Sequence, residues 1–171
     1  HYFLADFNFL TCKVVPVSYA LIVAIARSPI GRFNGSLANI AATQLGAGVL
    51  DAALTRATLP ASAVNEVLLG NVLSAGLGQS PARQAALAAG LPDSVATQSI
   101  NKVCGSGLQA VIHGARMVST READFVLAGG MESMSQAPFM LKGARTGLQT
   151  GNQVLVDSLI HDGLRDATHD C

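Results

Sequence analysis

Apolar segments with two different periodicities alternate along the first 130 residues. Residues 21–26, LIVAIA, are wholly apolar and stop at a proline-containing turn, which predicts a strand buried on both faces. From Leu37 to Ala53 apolar residues recur at three- and four-residue steps, which predicts a helix with Ser36 as its cap. The alternation continues with predicted strands at 64–72, 95–100 and 125–128 and predicted helices at 81–89 and 105–119.

Strands that alternate with helices indicate an α/β fold. Consecutive strands then lie parallel, joined by right-handed crossovers, with helices on the faces of the sheet. Beyond Met131 the pattern weakens, because Pro138, Gly143 and Gly147 interrupt any long period. We expect an irregular excursion there, with one short helix over residues 154–161.

Composition narrows the class of protein. Half of the 171 residues are hydrophobic, enough to bury a substantial single core. The 11 basic and 11 acidic side chains cancel, and no basic run supplies the phosphate-neutralising surface that nucleic acid requires. Asp6, Lys13 and Pro16 interrupt the apolar start before it reaches the roughly 20 residues of a membrane span. We therefore expect neither nucleic-acid binding nor a membrane anchor.

Cysteine and glycine spacing gives no sign of a metal or a bound cofactor. The cysteines Cys12, Cys104 and Cys171 form no CxxC pair, so neither a disulfide framework nor a zinc site is predicted. The lack of a predicted disulfide framework favours a reducing compartment. We expect a cytoplasmic protein, with an organellar location as the alternative. The segment Gly76-Leu77-Gly78 lacks the remaining residues of a dinucleotide or phosphate loop.

The segment SINKVCGSGLQA, residues 99–110, carries the candidate chemistry. It predicts a strand that passes through a tight turn into a helix whose first turn begins at Cys104. The partial positive charge and free N–H groups of a helix start favour a thiolate, and Gly105 and Gly107 allow a substrate carbonyl and neighbouring backbone to approach closely. The alternative is a buried, inert Cys104, since free cysteine often packs as a small hydrophobe.

A reactive thiol also needs a base, and no histidine is nominated locally. His113 would fall on the opposite face of the same helix, so it is excluded as the partner. His161 and His169 lie in the irregular tail, and His1 lies at a terminus.

Three polar residues have both a functional and a structural interpretation. Glu132 and Ser133, after two glycines, are predicted to form a strand-to-loop turn in preference to an acid or a nucleophile. For Arg83 a structural role is predicted in preference to a phosphate contact.

Several collinear motifs resemble the acetyl-CoA acetyltransferase branch of the thiolases. They are NKVCGSGLQAVIHGARMV, ADFVLAGGMESMSQAPFML, ARSPIGRFNGSL, GNVLSAGLGQSPARQAALAAGLP and LVDSLIHDGLRDATHD, which cover about residues 21–170 in the family's order. The resemblance implies the amino-terminal βαβαβαβ half of a layered thiolase-like fold. It divides the chain into an unassigned lead-in at 1–20, an α/β domain at 21–130 and the beginning of a loop domain at 131–171. We expect this loop domain to be incomplete.

The resemblance also implies a reaction. Cys104 would be the acyl-accepting nucleophile, with its backbone N–H in an oxyanion hole, and Leu164 would line the pantetheine and acyl pocket. The enzyme would condense two acetyl-CoA molecules, or cleave 3-ketoacyl-CoA, in fatty acid metabolism. Acetyl-CoA and acyl-CoA are then substrates and not bound cofactors, and a homo-oligomer is expected.

Parts of the family's catalytic machinery do not occur in this sequence. The Gly-His-Pro, Cys-x-Gly and Asn-Glu-Ala-Phe motifs of the second half are absent, as is the fifth strand of the first half. The alternative is therefore a non-catalytic chain that acts only in dimerisation or partner binding. A β-ketoacyl synthase relative is disfavoured, because the residues around Cys104 resemble those of thiolases.

Overall fold

A three-stranded parallel sheet forms the centre of the computed structural model, which describes residues 19–169. Its strands are β1 (Glu66–Gly70), β2 (Ala96–Ile100) and β3 (Val126–Gly130), and β1 lies between the other two. Both pairings are parallel and in register over five residues. The predicted parallel α/β arrangement is confirmed for these three strands, each of which falls within or next to its predicted segment.

Helices cover both faces of this sheet. The helices α1 (Ala42–Ala57) and α2 (Pro81–Ala88) pack against each other, and α2 also contacts β1 and β2. The third helix, α3 (Ser106–Ser119), packs against β1 and β3. The helices predicted at 81–89 and 105–119 are thus confirmed to within a residue.

Every residue of the central strand β1 is buried. Val67 and Leu69 join one core cluster with small residues of α2, whereas Leu68 borders a cavity together with His113 and Met117 of α3. Consecutive side chains of a strand point to opposite faces, so β1 supplies apolar side chains to both layers. The buried members of the first cluster are Ala42, Leu50, Leu54, Val64, Val67, Leu69, Ala82, Ala85, Ala86, Leu91, Val95 and Met131.

A small antiparallel pair lies beyond the main sheet. It consists of β4 (Phe139–Leu141) and β5 (Leu155–Asp157), and a π-helical turn, Leu159–Leu164, follows. The prediction of a helix over 154–161 was wrong in its first half, because those residues pair with a strand that precedes them in sequence. The Ser158 hydroxyl then donates to the Pro138 carbonyl at 2.6 Å and fixes the start of the helical turn.

The predicted buried strand at residues 21–26 was wrong. The segment has no regular secondary structure and pairs with no strand among residues 19–169, and Leu21, Ile22 and Ile25 are at least three-quarters exposed, at 80%, 77% and 75%. An apolar run specifies what a segment can bury, but the burial itself needs a neighbouring strand.

The predicted cap of the first helix was also wrong. Residues 33–39 form turns, and α1 begins at Ala42, where the Gln44 side chain accepts from the Ala41 N–H at 3.1 Å. Ser36 is exposed in the preceding turn. Most of the lead-in at 1–20, with Cys12 and His1, lies outside the described residues, as does Cys171. None of the helices in residues 19–169 has the length and apolar character to cross a membrane.

Candidate active site

Cys104 is exposed in the turn between β2 and α3. The alternative that Cys104 is buried was therefore wrong, and its reactivity stays a prediction. The prediction that the helix begins at Cys104 was also wrong, since α3 begins at Ser106 with Gly105 as its N-cap. The backbone is left-handed at Val103, with φ 49°, and is again outside helical geometry at Gly105, with φ −87° and ψ 1°, so the regular helix starts only after Gly105. The thiol thus precedes the helix and is presented at its entrance.

Short-range hydrogen bonds hold this turn. The Val103 N–H donates to Asn101 Oδ1 at 3.0 Å, and the Lys102 N–H donates to Ser106 Oγ at 2.8 Å. The Ser106 hydroxyl donates in turn to the Val103 carbonyl at 2.6 Å. Ser106 is buried, and its two bonds are partly buried, whereas the bond to Asn101 is exposed and Cys104 remains accessible.

The turn lies close to the neighbouring strand because glycine is present at the contact. A Cβ placed on Gly70 would be 2.5 Å from the Gly107 nitrogen and 2.8 Å from the Ser106 Cβ, which is too close for any side chain. A Cβ on Gly130 would lie 3.2 Å from the Gly107 Cα. The expected close backbone approach at Gly107 is thus confirmed, whereas Gly105 meets only ordinary contacts, the nearest at 3.4 Å.

The connection after β1 is held differently, by a carboxylate from a distant part of the chain. Glu132 Oε1 accepts from Asn71 Nδ2 at 2.7 Å and from the Leu73 N–H at 3.2 Å, and Oε2 accepts from the Val72 N–H at 2.8 Å. The structural role predicted for Glu132 is confirmed. Burial raises the pKa of Glu132 above its ordinary value of 4.5, and the three hydrogen bonds oppose that rise.

Asn71 was missed by sequence reasoning. It is buried, with 4% of its surface exposed, and its N–H donates to the Ile100 carbonyl at 3.0 Å, at the end of β2. Its Oδ1 has no hydrogen-bond partner among the described residues. A polar residue directly after the apolar residues Val67–Leu69 and Gly70 was the available signal in the sequence.

The histidines lie in separate surroundings. His113 borders a cavity of about 270 Å³ with Leu68 and Arg116. His161 contacts Lys142, and His169 lies 3.6 Å from the carboxylate of Asp166. The structure gives no contact between any of the three and Cys104.

The remaining candidates have structural contacts. Arg83 donates to the carbonyls of Val95, at 2.6 Å, and Asp93, so its predicted structural role is confirmed. The Ser133 hydroxyl donates to a carbonyl of the turn before α1. Leu164 ends the π-helical turn and is 57% exposed, and its place in an acyl pocket stays a prediction.

The fold and the turn at Cys104 together define a class: an α/β protein that displays a cysteine at the carboxyl edge of a parallel sheet, between a strand and a helix. Residues 20–171 match the family described as "Thiolase, N-terminal domain". The chain belongs to the thiolase family.

Individual relatives agree with this assignment. A "Probable acetyl-CoA acetyltransferase" of Escherichia coli is 53% identical over 88% of this chain and 38% of its own length. "Acetyl-CoA acetyltransferase 2" of Arabidopsis thaliana is 51% identical over 88% of this chain and 37% of its own length. The Acat5 thiolase from Ascaris suum, solved in complex with coenzyme A, superposes with a TM-score of 0.82 at 42% identity, over 87% of this chain and 38% of that one. The chain thus spans about 38% of the length of these relatives.

Proposed function

We propose that this chain is the nucleophile-bearing part of an acetyl-CoA acetyltransferase, with Cys104 as the acyl acceptor. The observation that carries the proposal is the exposed Cys104 in a turn whose backbone before the cysteine is held by partly buried hydrogen bonds to Ser106, which follows it. Relatives at 51–53% identity bear the acetyl-CoA acetyltransferase name, and the Ascaris thiolase binds coenzyme A.

In the proposed half-reaction the Cys104 thiolate attacks the carbonyl carbon of acetyl-CoA. A carbon–sulfur bond to Cys104 forms, and the carbonyl oxygen carries the negative charge. The backbone N–H of Cys104 is proposed as one donor to that oxygen. Collapse of the intermediate breaks the bond to the CoA sulfur, so that coenzyme A leaves as a thiolate and Cys104 is acetylated.

The rest of the cycle is proposed by the same relationship. A second acetyl-CoA, deprotonated at its methyl carbon, attacks the acetyl carbonyl on Cys104, so that a carbon–carbon bond forms. The carbon–sulfur bond to Cys104 then breaks, acetoacetyl-CoA is released, and Cys104 leaves as a thiolate; the reverse reaction is thiolysis. Leu164 is proposed to line the acyl and pantetheine pocket. The groups that move the protons are not in this sequence, because it lacks the Gly-His-Pro and Cys-x-Gly motifs. We propose that the complete enzyme is a homo-oligomer in the cytoplasm.

The test is mass spectrometry of the purified chain after incubation with acetyl-CoA. Peptide mapping separates Cys104 from Cys12 and Cys171, and Cys104→Ala is the control. One acetyl group on the Cys104 peptide, absent from the control, supports the proposal. A folded chain that takes up no acetyl group at Cys104 contradicts the proposal that this chain alone can accept an acyl group.

A second candidate function, assembly without catalysis, is favoured by the apolar surface of α3. Leu108 and Ile112 lie on this helix and are 67% and 36% exposed, and the outer edges of β2 and β3 pair with no strand in residues 19–169. A chain that is folded, unreactive toward acetyl-CoA and dimeric by sedimentation would favour this candidate over the first.

A further inference from the structure

We propose that Glu132 is a positioning residue for the Cys104 turn, which it holds indirectly through the segment Asn71–Leu73. The inference rests on the proposed function, since it assigns Glu132 a part in presenting the nucleophile. It goes beyond the strand-to-loop role that the sequence predicts.

Glu132 and residues 71–73 are joined by hydrogen bonds, and we call them the clamp. All three donors of the clamp point at one carboxylate, at 2.7, 2.8 and 3.2 Å. Hydrogen bonds to a charged acceptor are stronger than neutral ones. Asn71 has no partner for its Oδ1 among the described residues, so Glu132 and a longer 3.4 Å bond to the Met131 carbonyl fix its amide.

Backbone contacts link the clamp to the Cys104 turn. The Asn71 N–H donates to the Ile100 carbonyl at 3.0 Å, and Ile100 is the residue before the turn begins. Gly70, directly before the clamp, lies against the backbone of Ser106 and Gly107. Movement of residues 71–73 therefore displaces both ends of the turn, which are the end of β2 and the start of α3.

The clamp also lies next to the π-helical turn Leu159–Leu164. Leu73 is buried, and its Cδ2 lies 3.0 Å from the position that a Cβ on Gly163 would take. Gly163 belongs to the π-helical turn that ends at Leu164. The clamp thus lies between the nucleophile turn and the segment proposed to line the acyl pocket, so one carboxylate aligns both.

The test uses Glu132→Gln, which keeps the shape of the side chain but replaces one acceptor oxygen with a donor. Glu122→Gln is the matched control, because Glu122 is exposed and lies before β3, at the opposite end of that strand from Glu132. Amide hydrogen exchange is measured by mass spectrometry on peptides that cover residues 71–73 and 101–107. Acetylation of Cys104 by acetyl-CoA and its alkylation by iodoacetamide are measured in parallel.

We expect Glu132→Gln to accelerate exchange at both segments by about fivefold, the factor that corresponds to one hydrogen bond of ordinary strength. We expect acetylation of Cys104 to slow by a similar factor while alkylation is unchanged, because only acyl transfer depends on the geometry around the carbonyl. Glu122→Gln is expected to change none of these. Faster exchange confined to residues 71–73, with the turn at its wild-type rate, overturns the proposal.

The exchange measurement separates this inference from the proposed function. A wild-type chain that is never acetylated contradicts the proposed function, and exchange at 101–107 still decides whether Glu132 holds the turn. Asn71→Ala, which removes one of the three donors, serves as the second variant if Glu132→Gln does not fold. It is expected to give the same pattern at smaller amplitude, and wild-type exchange at 101–107 in that variant also overturns the proposal.

Discussion

Two connections leave the carboxyl edge of the sheet side by side, and they are stabilised in opposite ways. The turn after β2 exposes Cys104 and is held by its own neighbours, Asn101 and Ser106. The connection after β1 is buried at Asn71 and is held by Glu132, about 60 residues away in sequence. The difference shows how a side chain can be accessible although its backbone is hydrogen-bonded: the exposure of Cys104 is decided within its own turn, whereas the neighbouring connection is held by a residue distant in sequence.

Gly70→Ala is expected to have the largest effect, because it breaks the contact between the two connections. The new Cβ would lie 2.5 Å from the Gly107 nitrogen, against backbone that cannot easily shift. We expect a loss of about 3 kcal/mol or more in unfolding free energy, measured by urea denaturation. Gly48→Ala is the control, since nothing lies within 4 Å of its Cβ in α1, and it should be neutral or stabilising.

Ser106→Ala tests the exposed turn alone. It removes a buried hydroxyl that accepts from Lys102 and donates to Val103, so we expect a loss of about 2 kcal/mol in unfolding free energy. Acetylation of Cys104 should fall in the same variant. The matched control is Ser36→Ala, at an exposed turn position. Equal effects of the two substitutions would contradict the role given to Ser106.

The pH dependence of stability tests the buried connection. The pKa of Glu132 is raised in the folded chain, so the folded state binds this proton more tightly than the unfolded state. Its contribution to stability is present below the unfolded value of 4.5 and is lost as the pH rises through the folded pKa. Relative to wild type, Glu132→Gln should therefore gain stability as the pH rises above the unfolded value of 4.5.

That comparison needs urea denaturation at several pH values on both chains. Glu122→Gln, at the exposed glutamate, again serves as the control. A constant difference between Glu132→Gln and wild type across the range would show that Glu132 does not titrate in this way.

Val103→Gly is expected to have the smallest effect. Glycine relieves the left-handed strain at φ 49°, but it also adds flexibility to the unfolded chain. We expect a net change of about 0.5 kcal/mol or less in unfolding free energy. Thr58→Gly, at the left-handed C-cap of α1 where φ is 53°, is the matched comparison. A large loss in Val103→Gly alone would show that the Val103 side chain itself supports the turn.

The elements that could be predicted from sequence are those whose burial is decided locally. Strand β1 is apolar at nearly every position, and helix α2 begins at Pro81 and is rich in alanine, so each pattern specifies its own element. The strand, tight turn and glycines around Cys104 favoured an accessible side chain but left a buried cysteine as the alternative, and the structure decides for exposure.

The features that could not be predicted depend on distant partners. Strand β5 exists because residues 155–157 pair with 139–141, and residues 21–26 remain unpaired although they are as apolar as β1. The hydrogen bonds that Glu132 accepts from the segment after β1 join two loops, and the sequence of neither loop indicates the other as its partner. Side-chain periodicity records burial, but not which strand or carboxylate supplies it.

The parallel register of β1 with β3 also sets an order of events during synthesis. Glu66 pairs with Val126, so the central strand leaves the ribosome well before its second neighbour exists. At an elongation rate of about 5–20 residues per second, this wholly buried strand waits several seconds for full cover. Glu132 emerges later than both strands and the Cys104 turn between them. The turn that carries the proposed nucleophile is therefore synthesised before the carboxylate proposed to position it.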